Sequence, residues 1–253
     1  MATEYRNQQG GIVVGRDRVA VGVDEGLRQY MLKVYNWMAL GLALTGAVAF
    51  AVISVPGLSD LFYQSTPSGR PISLTILGWI ALFAPLAIVF FFSFRIDAMS
   101  AATAQGVFWL YAGLMGLSLA PIVAVYTATS VAKVFFITAA MFGAMSLWGY
   151  TTKRDLTGFG HFLIMGVIGL LIAMIVNIFL KSSAMGFVIS ILGVLIFTGL
   201  TAYDTQKIKS MYDASHDREV MTKMGIMGAL NLYLDFINIF IFLLRLVGVA
   251  KSE

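Results

Sequence analysis

Two stretches decide the reading: Thr201-Ala-Tyr-Asp204-Thr-Gln-Lys207-Ile-Lys209 and Asn231-Leu-Tyr-Leu-Asp235-Phe-Ile-Asn238. The first closes a long apolar run, and the second lies inside another. An ionised carboxylate in hydrocarbon costs roughly 2.5–3.5 kcal/mol on insertion scales. Two such residues in apolar helices therefore mark a functional site by default.

Composition makes the bilayer the expected solvent. The chain has 253 residues, 59% hydrophobic and 12% charged, and a mean hydropathy of +0.85. Soluble domains carry about 25% charged residues. The net charge of +4 does not point to nucleic acid, because the basic residues sit in short segments between apolar runs and form no stripe. The absence of cysteine excludes disulfides, thiolate metal sites and a cysteine nucleophile.

Seven apolar runs follow a polar start, each near the roughly 20 residues a helix needs to cross hydrocarbon. They span about 31–55, 72–94, 104–126, 131–150, 160–180, 184–205 and 225–247. The chain is thus expected to be an all-α membrane protein, a seven-transmembrane-helix bundle in one domain over 30–253. Residues 1–29 read as a mostly disordered cytoplasmic tail. They have no apolar h-region, so no cleavable signal peptide is expected and the first run serves as an uncleaved anchor.

Basic residues give the orientation. With seven spans, the side of the N-terminus holds 12 of the 17 Lys and Arg and the other side holds Arg70, Lys133, Lys181, Arg245 and Lys251. This bias predicts a cytoplasmic N-terminus and an external C-terminus, unless the seventh run is re-entrant. Arg95, Asp97, Asp204 and the start of the seventh run then share the cytoplasmic side. Asp235 lies about 15 Å deep.

Asn231, Asp235 and Asn238 are spaced i, i+4, i+7 and share one helical face, with Arg245 seven residues further along it. Such a stripe should face the bundle interior. It reads either as a functional face or as structural glue between helices. Asp204 reads either as the partner of Lys207 one turn on, in water, or as half of a site. Arg95 reads either as a snorkelling arginine or as an inward guanidinium holding a carboxylate. In the third run, Gly113, Gly116, Ser118 and Pro121 read as close helix packing or as a hinge. His161 and His216 have no ligand partner at metal spacing.

At these residues the chain resembles the Bax inhibitor-1 (transmembrane Bax-inhibitor-motif) family. The resemblance is carried by Gly199-Leu-Thr-Ala-Tyr-Asp204-Thr-Gln-Lys207-Ile, then Leu230-Asn-Leu-Tyr-Leu-Asp235-Phe-Ile-Asn238-Ile-Phe. The Arg95 segment and the glycine-rich third run fit as well. It covers about 30–250, and the compact chain looks like a bacterial member, which implies the inner (plasma) membrane. The resemblance implies a last helix wrapped by the others. It implies that Asp204 and Asp235 form a pH-sensing carboxyl pair and ion gate, latched by Arg95 and supported by Asn231 and Asn238. The implied activity is a pH-sensitive calcium leak, with stress response as its setting. One departure is the segment between the two aspartates, which looks somewhat long.

Two adjacent carboxyls in a low-dielectric site titrate as a unit. Ionised, Asp204 and Asp235 repel each other and offer the hard oxygen ligands calcium prefers. Calcium is then cargo, no cofactor is expected, and no enzyme is implied. The alternative function is a non-transporting regulator that binds other membrane proteins, such as a membrane protease or cell-death and stress factors. An intramembrane aspartyl protease is disfavoured, because Leu232-Tyr-Leu-Asp235 lacks preceding glycines and no Pro-Ala-Leu segment occurs. A retinal protein is excluded by the absence of a lysine in the seventh run.

Overall fold

The computed structural model describes residues 25–64, 73–96 and 98–251. It contains seven helices long and apolar enough to cross a membrane. They are α1 (Ala2–Ser54, described from Glu25), α2 (Ile76–Arg95), α3 (Ala101–Val125), α4 (Ala128–Thr151), α5 (Thr157–Leu180), α6 (Ser183–Ser210) and α7 (Arg218–Val247). The protein is a seven-transmembrane-helix bundle. The disordered-tail expectation over 1–24 lies outside the described residues, whereas 25–29 are helical and extend the first span.

The boundaries follow local chemistry. Thr75, Ser100, Thr127 and Ser182 each precede a span, and their hydroxyls accept from the amides of Gly78, Thr103, Ser130 and Met185. These caps satisfy amides that lipid could not. Two departures from the apolar runs are small. Residues 71–74 form strand β2 (Pro71–Leu74), paired antiparallel with β1 (Tyr63–Ser65), because Thr75 delays the helix start. The connection between the aspartate helices is short, since α6 runs to Ser210 and α7 begins at Arg218. The length between Asp204 and Asp235 is mostly helix.

α7 is central. In its most apolar window 72% of residues are buried, against 11% in α5. It packs against α1, α3, α4 and α6, while α2 lies chiefly on α3, and α5 on α6. Small residues allow these approaches. A Cβ on Gly116 of α3 would stand 2.7 Å from the Thr45 carbonyl oxygen of α1. One on Gly149 of α4 would collide with the Ala202 backbone of α6, and one on Gly193 of α6 with the Phe242 ring of α7. Close packing is therefore the role of Gly116, whereas Gly113 has nothing within 4 Å. Pro85 and Pro121 lie within uninterrupted α2 and α3.

The seventh helix runs the full length of the bundle. Beyond α7, Ala250 bridges to Tyr126 and the Lys251 amide donates to the Val125 carbonyl, 3.0 Å away. The α3–α4 corner lies at the opposite end from the α6–α7 connection, so a re-entrant α7 does not reach it. The end holding the α2–α3, α4–α5 and α6–α7 connections is termed the N-side, and the other the C-side.

Candidate functional site: the Asp204–Asp235 pair

Asp204 sits in the last turns of α6, and Asp235 in the middle of α7. These two helices pack along their lengths, and the two carboxyl groups are close neighbours between them. Asp235 is 3% exposed, and its Oδ2 is buried with no hydrogen-bond partner. Asp204 is half-buried.

Lys207 is the cation acting on Asp204, but it is exposed and its Nζ lies 6.0 Å from the centre of the Tyr203 ring. No Asp204–Lys207 ion pair within 4.0 Å occurs among the described residues. The structure therefore unites the two aspartates that sequence spacing could not join.

Arg95 is not at the pair. It ends α2, which lies chiefly on α3, and it is exposed with no hydrogen bond or ion pair among the described residues. The side chain of Asp97 lies outside the described residues. Asn238 turns back on its own helix, its Nδ2 donating to the Leu234 carbonyl 2.8 Å away, so it ties no second helix. Asn231 is half-buried.

Two polar relays went unrecognised in the sequence. Tyr35 Oη of α1 lies 2.6 Å from Ser146 Oγ of α4, which lies 2.9 Å from Thr205 Oγ1 of α6. This relay ends on the residue next to Asp204. On the C-side of it, Thr45 Oγ1 lies 2.7 Å from the Tyr233 hydroxyl and 2.8 Å from the Ala112 carbonyl oxygen, joining α1, α3 and α7. Hydroxyls inside apolar runs are the only signal that could have exposed them. Hydroxyls also bond to their own helix, so that signal is weak.

The pair can share or lose a proton, and it presents up to four carboxylate oxygens. Calcium takes six to eight oxygen ligands, and no group of three or more His, Cys, Asp or Glu occurs among the described residues. The two aspartates alone thus supply only part of a calcium shell.

Known proteins resemble this chain over most of its length. The family described as "Inhibitor of apoptosis-promoting Bax1" matches residues 27–252. An uncharacterized protein of Rickettsia prowazekii is 52% identical over 225 residues, covering 89% of this chain and 91% of that one. An uncharacterized protein of Caulobacter vibrioides is 49% identical, over 92% of this chain and 93% of its own. Inner membrane protein YbhL of Escherichia coli is 46% identical, over 88% and 92%. With both aspartate helices inside the matched region, and relatives this similar over nearly their full lengths, the chain belongs to the Bax inhibitor-1 family.

Proposed function

We propose that the protein is a pH-sensitive calcium leak channel of the inner membrane, gated by Asp204 and Asp235. The observation that carries this reading is the Asp235 carboxyl, buried on the central helix beside Asp204 with one oxygen that has no hydrogen-bond partner. A purely adhesive role is better served by an amide, which carries no ionisable charge into hydrocarbon.

With a proton between them, the two carboxyls hold α6 against α7. With both ionised, they repel, and the same oxygens face a passing cation. Protonation then biases two packings of one bundle. Because α7 touches four neighbours, a shift at Asp235 is felt throughout. The inner membrane is supported by the printed name of the E. coli relative. A cytoplasmic N-side is supported by its 12 of 17 basic residues. The activity requires no cofactor and no catalytic residue.

The test is calcium flux into liposomes holding the purified protein, scanned across pH, for wild type and Asp235→Asn. The expected result is a pH-dependent flux whose profile flattens in the variant. Absence of flux at every pH would replace the channel with a non-transporting regulator of other membrane proteins.

A further inference from the structure

The two outer helices stand apart. Because α2 lies chiefly on α3 and α5 on α6, a crevice of about 1000 Å³ opens between them. Phe83 and Leu86 of α2 form one wall, and Leu171 and Ile175 of α5 the other. The floor is α6 at Gly186, with Arg245 from the last turn of α7. Phe83, Leu171, Ile175, Gly186 and Arg245 lie in the C-side halves of their helices and Leu86 lies at the middle of α2, so the crevice opens chiefly in that leaflet.

Arg245 is the only charged residue on this lining. It makes no hydrogen bond or ion pair among the described residues, leaving five N–H donors in a fixed fork. Arg245 is exposed in the last turn of α7, and its side chain lines the crevice. A second donor is aimed there. The Ser182 amide donates to Asn177 Oδ1 over 3.1 Å, which fixes the side-chain amide. Its Nδ2 then lies 3.6 Å from where a Cβ on Gly186 would stand. A guanidinium between transmembrane helices can hold a lipid phosphate through charge-assisted, bidentate hydrogen bonds.

We propose that this crevice binds an anionic phospholipid of the C-side leaflet, its phosphate on Arg245 and Asn177 and an acyl chain between α2 and α5. The charge is complementary, the walls match hydrocarbon, and the opening faces the bilayer. The absence of a side chain at Gly186 leaves the floor open, since that position meets nothing closer than 3.6 Å. The site lies apart from the aspartate pair and does not depend on channel activity.

Native mass spectrometry of the full-length protein in mild detergent tests this, with phosphatidylglycerol and phosphatidylcholine of identical acyl chains in equal amounts. Wild type should retain phosphatidylglycerol roughly fivefold better, the worth of one arginine near an anionic headgroup. Arg245→Gln should abolish the preference and Arg245→Lys should keep most of it. Gly186→Phe, filling the floor, should lower retention of both lipids. Thermal melting of each variant confirms folding, and the wild-type preference stands as a readout that needs no variant. Excess inorganic phosphate should not displace the lipid. Equal retention of the two lipids by wild type, an unchanged preference in Arg245→Gln, or displacement by free phosphate would each overturn the proposal.

Discussion

Ser146 Oγ and Thr205 Oγ1 lie 2.9 Å apart, joining α4 to α6 one residue past Asp204. Tyr35 extends this link to α1. Three helices around α7 are thus tied at the depth where α6 presents its aspartate.

Thr205→Val should destabilise the protein by about 1 kcal/mol, the usual net worth of one buried hydrogen bond, and Ser146→Ala by about 2 kcal/mol, because it also loses the bond to Tyr35. The double variant should lose less than the sum, since both single changes break the same bond. Unfolding in mild detergent measures all three. Additive losses would show that the two hydroxyls do not act together.

Gly149→Ala and Gly143→Ala make a matched pair on α4. A methyl group at 149 meets the Ala202 backbone, whereas one at 143 meets nothing within 4 Å. The first should cost about 1–3 kcal/mol as an overpacked contact. The second should be neutral or stabilising by up to about 1 kcal/mol from helix propensity. Equal melting temperatures for the two variants would contradict the close α4–α6 approach.

Asp204→Asn, Asp235→Asn and the double variant should give the same flattened flux–pH profile. Two groups sharing one proton have a joint titration, and removing either removes it. If the double variant changed the profile beyond both singles, the aspartates would be independent sensors.

In the α6–α7 connection, the Ser215 amide and hydroxyl donate to Asp213 Oδ1 over 2.8 and 2.7 Å. These bonds stabilise the ionised form and hold the Asp213 carboxyl below the usual carboxylate value. The sign follows: the turn gains stability above the ordinary aspartate value and loses it as pH falls through the lowered one. Ser215→Ala should return Asp213 toward its ordinary value, as read by NMR titration. Exchange protection of the Ser215 amide should fade on acidification in wild type.

The pattern of apolar runs made the spans legible to within a few residues, except at the polar ends where α6 runs to Ser210 and α7 starts at Arg218. The expected 160–180 is observed as Thr157–Leu180, and 104–126 as Ala101–Val125. The polar stripe of α7 was legible too, but its members have separate fates. Asp235 meets Asp204, Asn238 folds back on Leu234, and Arg245 lines a crevice. Spacing alone gives a common face, not what each level of that face touches.

The sequence by itself determined the number, length and alternating direction of the helices, because hydrocarbon thickness fixes how many apolar residues a span needs. It also placed one carboxylate at the end of α6 and one deep in α7. Only the tertiary structure decided that these carboxylates meet, that Arg95 stays away, and that Tyr35, Ser146 and Thr205 align. Those outcomes depend on how far each helix is rotated and which small residues allow close approach. Hydropathy averages over the faces of a helix and carries no record of that rotation.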